Sequence, residues 1–254
     1  MITTICQAAE KWLGIKADPL DAARLQDYLW KTYGGVNKEI LERVFLSGEA
    51  AGFLTVSETY FFREPAHFSF LWDFLFSFEK SEIFVCSAAS ATGCEAYSIA
   101  MLIETYNKSV KKPLLYHVDA FDINPKAVET ALNGIYGARA LREDGCSFHY
   151  MADPYLEKFE DGYRVDASLK KNICFFVHNL MNVLPQKAYD LIFFRNAFIY
   201  FSSINRERLL SNLSKVLIEE GILFLGVSET AGVQYPDLEA KNRNDVFYFQ
   251  KKTK

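Results

Sequence analysis

A chain of 254 residues, half of them hydrophobic, can bury a substantial core, as one large domain or as a small one joined to a medium one. Its 28 basic and 32 acidic residues leave a formal charge of −4, which offers no electrostatic footing for a nucleic-acid partner. The amino terminus lacks the basic and apolar regions of a signal peptide, and no stretch reaches the length of a membrane span, so a cytoplasmic protein without membrane insertion is expected. Five cysteines, Cys6, Cys86, Cys94, Cys146 and Cys174, are odd in number and lack C-x-x-C spacing, which points to free thiols and to no metal centre.

In chain order, residues 1–50 read as three helices. Ile2–Leu13 comes first, Pro19–Tyr33 follows an Asp18-Pro19 start, and Lys38–Leu46 follows an Asn37 cap; Gly34-Gly35 and Gly48 to Gly52 punctuate them. Pro65 opens the next helix, whose Phe68, Leu71, Trp72 and Leu75 share one face, as core residues do. Residues 83–89 read as a buried strand that yields to a Ser/Thr/Gly turn and then to a helix over 95–107, with Ile99, Leu102, Ile103 and Tyr106 on one face. Small side chains at Ala88, Ala89, Ser90 and Ala91 would let a ligand approach the backbone, and the first N–H groups of the helix face the same space. The turn is thus a candidate nucleotide cradle; an ordinary buried strand-to-helix turn is the alternative. Only Gly93 is a glycine, so the G-x-G-x-x-G fingerprint of dinucleotide folds is absent.

A strand over 115–121 and a helix over 125–132 behind Asn124-Pro125 continue the alternation, which implies a parallel sheet with helices on both faces. From Gly134 to His178 the alternation breaks. Residues 155–159, a Glu160-Asp161-Gly162 turn, residues 163–165 and Ile173–Val177 read as a small antiparallel insert. Beyond it come a strand at Tyr189–Phe194, a helix over 206–219, a strand over 222–227 and a closing strand over 245–250.

Four stretches acquire meaning together: Ser57-Glu-Thr-Tyr-Phe-Phe-Arg-Glu-Pro65, Phe121-Asp-Ile-Asn124, Asn179-Leu180 and Phe194-Arg-Asn-Ala-Phe-Ile-Tyr-Phe201. From about Thr55 to Glu229, in order and wording, the chain resembles the CheR-type chemotaxis protein-glutamate O-methyltransferases. The resemblance implies an α/β fold of class I S-adenosylmethionine methyltransferases, a Rossmann-like doubly wound sheet whose last strand is antiparallel. It also implies a helical N-terminal domain, residues 1–50, and a methyltransferase domain, residues 51–254, with a β-subdomain insert at about 139–178. The implied activity is methyl esterification of glutamate side chains on chemotaxis receptors, giving the glutamate methyl ester and S-adenosylhomocysteine in chemotactic adaptation. The implied partner of this monomer is the cytoplasmic helical region of the receptors, docked through basic residues of the N-terminal domain. Here that segment holds six basic residues against seven acidic ones, so docking would rest on a local patch.

By resemblance, cofactor contacts fall on Ser57, Thr59, Arg63, Glu95, Asp122, Asn179, Leu180, Arg195 and Asn196, while Arg63 and Tyr200 occupy the catalytic neighbourhood of the methyl group. The residues themselves support part of this, because ligands of open α/β sheets lie beyond the carboxyl ends of strands, where Glu95, Asp122 and Arg195-Asn196 fall. Asp122 has the placement of a ribose-binding acid; a turn aspartate ahead of the Asn124 cap is the alternative. Ser57 stands where the family usually has Asn, and Cys94 and Ala96 stand where it writes Glu and Pro. Those departures motivate a second reading, a catalytically weakened cofactor-binding regulator. A third, an NAD-dependent dehydrogenase, lacks the glycine fingerprint. Cys94 opens a helix, so it is either an activated thiolate or an inert buried thiol. His67, His117, His149 and His178 form no nucleophile-base pattern, and a glutamate nucleophile, with a reference pKa of about 4.3, needs no general base.

Overall fold

The computed structural model describes residues 1–142, 147–185 and 187–253. Four helices come first: α1 (Ile2–Leu13), α2 (Pro19–Tyr33), α3 (Lys38–Leu46) and the single turn α4 (Ala51–Leu54). Their limits follow from local chemistry. The side chains of Asp18 and Asn37 accept N–H groups of Leu20 and Ile40, and Gly14 and Gly34 end α1 and α2 in the left-handed region that glycine tolerates. These helices bury Ile5, Ala9, Leu25, Leu29, Val44 and Phe45 in one cluster with Cys86, Ala88, Phe121, Ile192 and Phe194 of the sheet. They form a layer over one sheet face, close to the carboxyl ends of its strands.

The chain continues through α5 (Pro65–Ser77), β1 (Glu82–Ala88), α6 (Cys94–Ser109), β2 (Leu115–Asp122), α7 (Pro125–Asn133), β3 (Ile135–Gly137), α8 (His149–Ala152), β4 (Leu156–Phe159), β5 (Gly162–Val165) and α9 (Ala167–Lys170). It ends with β6 (Ile173–Val177), β7 (Tyr189–Phe194), α10 (Ser203–Val216), β8 (Leu217–Leu225), β9 (Leu238–Arg243) and β10 (Val246–Lys251). Seven strands form the main sheet in the order β6-β2-β1-β7-β8-β10-β9. The first five run parallel, and β10 is antiparallel to both β8 and β9. This is the doubly wound sheet expected, closed by an antiparallel strand. On the face away from α1–α4, α5 and α6 bury Phe68, Leu71, Leu75, Tyr97, Ile99 and Met101 with Val85, Leu191 and Phe224.

Three expectations are corrected. Ile173–Val177 is not part of the antiparallel insert; it pairs in parallel with β2, from Val118↔Ile173 to Asp122↔Val177, at the edge of the main sheet. The third strand of the insert is Ile135–Gly137, paired with β5 from Ile135↔Arg164 to Gly137↔Gly162. Alternation reveals a strand but not the sheet that receives it, and a strand of 3 residues with one buried side chain, Tyr136, leaves no readable period. Second, the helix expected to reach residue 219 stops at Val216, and the strand expected from 222 starts at Leu217. The pairing of β7 with β8 shifts register between Tyr189 and Leu191, and Glu220 is left-handed at φ 61°, so a bulge hides a strand inside a charged, helix-like stretch. Third, β9 was unanticipated; with Leu238 alone buried it has the polar character of an edge strand. Cys6, Cys86, Cys94 and Cys174 are free thiols, while Cys146 and residues 143–145 of the expected insert lie outside the described residues.

Candidate functional site

A cavity opens beyond the carboxyl ends of the parallel strands, where a doubly wound sheet receives ligands. Its non-atom space is about 960 Å³ with the open solvent at its mouth included. The ten expected residues, Ser57, Thr59, Arg63, Glu95, Asp122, Asn179, Leu180, Arg195, Asn196 and Tyr200, all line it. So do Leu13 and Ile15, because Lys16 N–H donates to Tyr200 O at 2.8 Å and Ile15 bridges to Phe201, which draws the amino-terminal layer against the site.

The turn after β1 folds tightly without the usual glycines. Ala89 and Ala91 adopt φ 56° and 49°, conformations that cost an L-residue of order 1–3 kcal/mol and cluster at ligand sites. Ser90 N–H donates to Phe121 O at 2.9 Å and Ala91 N–H to Asp122 Oδ2 at 2.9 Å, bonds that tie the turn to the end of β2, and Gly93 N–H donates to Ser90 O at 2.9 Å within it. Asp122 Oδ1 accepts Asn124 N–H at 2.9 Å, so this carboxylate shapes the cradle as well as facing it. Burial raises its pKa above the ordinary value, more than the N–H groups of Asn124, Ala91 and Ile123 lower it. At Gly93, φ is 86° and an added Cβ would lie 2.7 Å from Ala131 Cβ, so no other residue fits there without movement. Cys94 follows, fully buried; burial pushes its thiol up to about 12, against smaller opposing effects of Thr92 and its own backbone. The activated-thiolate option is thereby corrected, because desolvation outweighs the helix terminus.

Beneath the cavity lies a charged cluster. Arg195, with its side chain 1% exposed, donates from Nη1 to Glu95 Oε2 and from Nη2 to Glu64 Oε2, both at 3.1 Å, and from Nη2 to the carbonyl of Arg63. Ser87 Oγ donates to Glu95 Oε1 at 2.7 Å. Burial raises the Glu95 pKa, and Arg195 and Ser87 offset only part of that. Glu64 behaves oppositely: burial pushes its carboxyl up, but His67, Arg195 and Asn196 together hold it well below the usual carboxylate range. Arg195 thus touches the cavity wall while its guanidinium is committed to two carboxylates.

Other expected residues are also engaged within the protein. Asn179 Nδ2 donates to Trp12 O at 2.7 Å and its Oδ1 accepts Met181 N–H at 2.9 Å, so the carboxamide ties α1 to the segment after β6. Ser57 Oγ accepts from Asn124 Nδ2 at 3.3 Å. Arg63 Nη1 donates to Glu58 O at 2.8 Å. Asn196, left-handed at φ 59°, donates from Nδ2 to Glu64 Oε1 at 2.8 Å. Tyr200 ends a one-turn 3₁₀ helix, Phe198–Tyr200. Sequence reasoning missed Glu64, His67, Ser87 and Glu229. Glu64 was legible only as the residue after Arg63, and Glu229 only as the limit of the resemblance, since neither shows periodicity or metal-ligand spacing.

The wall fits S-adenosylmethionine on structural grounds. Ser90 Oγ is buried without a hydrogen-bond partner, small residues leave the turn open to a ligand, and Glu95 and Asp122 supply acceptors suited to hydroxyls or a cationic group. A doubly wound sheet closed by the antiparallel strand β10, with its cavity at the switch of strand order and an acid ending β2, has the class I S-adenosylmethionine methyltransferase architecture. Residues 57–248 match the family model described as CheR methyltransferase, SAM binding domain. The chain therefore belongs to the CheR methyltransferase family. A chemotaxis protein methyltransferase of Vibrio parahaemolyticus is 31% identical over 213 residues, 82% of this chain and 75% of that protein. Another, of Borreliella burgdorferi, is 32% identical over 188 residues, 70% of this chain and 65% of that protein. A probable biofilm formation methyltransferase, WspC of Pseudomonas aeruginosa, is 28% identical over 186 residues, 70% of this chain and 43% of that protein. The chain thus spans less than two thirds of the length of the last two. Among the described residues, no helix is long and apolar enough to cross a membrane.

Proposed function

We propose that the chain transfers a methyl group from S-adenosylmethionine to glutamate side chains of chemoreceptors, as a protein-glutamate O-methyltransferase. The observation that carries this reading is the convergence on one cavity of ten residues drawn from five separate stretches of sequence, Glu95 coming from the start of α6 and the rest from the four motif stretches. Ser57, Thr59, Arg63, Glu95, Asp122, Asn179, Leu180, Arg195 and Asn196 would hold the cofactor. Asp122 and Glu95 supply acceptors, Ser90 and the turn backbone supply close approach, and Asn179 acts through backbone groups because its carboxamide is committed. When bound, the cofactor supplies an electrophilic methyl group. The protein's task is then alignment: an ionised carboxylate needs no general base, and a guanidinium can orient it with two parallel hydrogen bonds. Arg63 suits that role, and Tyr200 can hydrogen-bond the carboxylate while its ring helps exclude water. Residues 1–50, as a helical domain, and the strands β3 to β5 of a methyltransferase domain over residues 51–254 are proposed as the surfaces that meet the receptor.

Incubation with labelled methyl donor and a panel of receptor cytoplasmic fragments, followed by measurement of base-labile label, tests the assignment; no ester on any fragment would overturn it. A second reading, a cofactor-binding regulator with weak turnover, draws on the Ser57 hydroxyl held by Asn124 and on the Asn179 carboxamide held by Trp12. Calorimetry with S-adenosylhomocysteine separates the two, because binding without ester formation supports the regulator.

A further inference from the structure

We propose that Glu229 is a positioning residue that sets the turn carrying Asn196 and Tyr200, with Glu64 as its counterpart on the opposite side of that turn. The proposal rests on the methyltransferase reading for its kinetic consequence but not for its structural one. Glu229 is 5% exposed, and its carboxylate accepts three backbone N–H groups: Asn196 at 2.7 Å and Gly226 at 2.9 Å on Oε2, and Ile199 at 3.1 Å on Oε1. Two of those donors belong to the segment after β7 and one to the segment after β8, so a single side chain joins adjacent strand ends.

Glu64 works from the other side. Its Oε1 accepts Asn196 Nδ2 at 2.8 Å, and its Oε2 accepts Arg195 Nη2 at 3.1 Å and Val227 N–H at 3.3 Å. Asn196 is thus held by both carboxylates, through its backbone N–H and through its carboxamide. It is also left-handed at φ 59°, a conformation that asparagine tolerates better than most residues but that needs external bonds to persist. Glu64 is itself left-handed at φ 58°. Space at the joint is fully used: a Cβ on Gly226 would fall 2.7 Å from Glu229 Oε2 and 2.9 Å from Asn196 N and Nδ2. The consequence reaches the cavity, because Ile199 N–H, fixed by Oε1, precedes Tyr200, and Asn196 follows Arg195.

Glu229→Gln dissects the device. A glutamine that keeps its oxygen at the Oε2 position retains the Asn196 and Gly226 bonds but turns an NH2 group toward Ile199 N–H, a donor facing a donor. The Ile199 amide should then exchange with solvent roughly fivefold faster or more, the scale of one lost hydrogen bond, with Asn196 and Gly226 little changed. Turnover on a receptor fragment should fall about tenfold to a hundredfold, the scale of a displaced catalytic neighbour, with the dissociation constant for S-adenosylhomocysteine within about twofold of wild type. Gly226→Ala, which displaces the carboxylate without altering its chemistry, should reproduce the loss of turnover. Wild-type exchange at Ile199 in Glu229→Gln overturns the proposal. So does faster exchange spread evenly over β7 and β8, which would assign Glu229 to general stability. A wild-type protein that esterifies no receptor fragment overturns the methyltransferase reading, while the exchange measurement still decides the role of Glu229.

Discussion

Two sets of buried ion pairs invite comparison. Away from the cavity, Asp190 accepts Lys80 Nζ at 2.6 Å and Phe84 N–H at 2.9 Å, and Asp119 accepts Lys187 Nζ at 2.7 Å and Tyr189 OH at 2.7 Å. Each acid is buried, but each lysine reaches water, with side-chain exposures of 56% and 49%. At the cavity the arrangement is inverted: one fully buried cation, Arg195, is shared by two acids, one of which, Glu64, is left-handed, as is Asn196, the next residue in the chain after Arg195. A lysine with its ammonium in water lets a buried acid be satisfied cheaply and fastens two segments. A buried arginine between two acids has no such route to water, so its charge is balanced wholly within the protein.

The largest effect that separates the two sets should come from Arg195→Ala. It leaves Glu64 and Glu95 facing each other without a cation, and breaking a buried pair costs about 3–5 kcal/mol. Urea denaturation should show that loss, and a midpoint within error of wild type would place Arg195 in the lysine class. Next, Asp122→Ala should weaken S-adenosylhomocysteine binding by about 1.5–3 kcal/mol, the scale of hydrogen bonds to a charged group. Calorimetry reads this directly, and an unchanged dissociation constant would remove Asp122 from the ligand. Tyr200→Phe should lower turnover about tenfold, near 1.4 kcal/mol, with cofactor affinity nearly intact, whereas Arg63→Ala should impair both. Equal losses of affinity and turnover in Tyr200→Phe would assign its hydroxyl to cofactor binding.

Lys80→Ala should cost about 1 kcal/mol of stability, with no change in S-adenosylhomocysteine affinity. An altered affinity would join the remote pair to the site. The smallest effect concerns pH. Burial, and then the Arg195 charge, lowers the His67 pKa more than Glu64 raises it, and burial likewise lowers that of His178. Both rings therefore bind protons more weakly in the folded protein than in the unfolded chain, which takes them up near pH 6.5. The contribution of these histidines to stability should be complete above about pH 6.5 and decline as pH falls below it, so His67→Gln should lose less stability than wild type between pH 7.5 and about 5.5. The same change of midpoint with pH in His67→Gln and wild type would contradict this sign.

How much was legible follows the range of each interaction. The caps at Asp18 and Asn37 and the Pro65 start act within a few residues, and the helices there begin as expected. The ten residues at the cavity were legible through motif wording, which preserves a site across chains. What the wording conceals is division of labour: Asn179 binds Trp12 from 167 residues away, and Arg195 reaches Glu64 across 131.

By itself, the sequence determined the alternation of strands and helices, the order of the motifs and the family, because periodicity, caps and motif wording are local properties. Only the tertiary structure decided that Ile173–Val177 joins the main sheet, that a charged stretch at Leu217 begins a strand, and that the N-terminal helices share the sheet's core. Tertiary packing alone also decided the states of the acids. Burial raises Glu95 and Asp122, whereas neighbours overcome burial at Glu64, and a carboxyl's surroundings are set by residues far away in the chain.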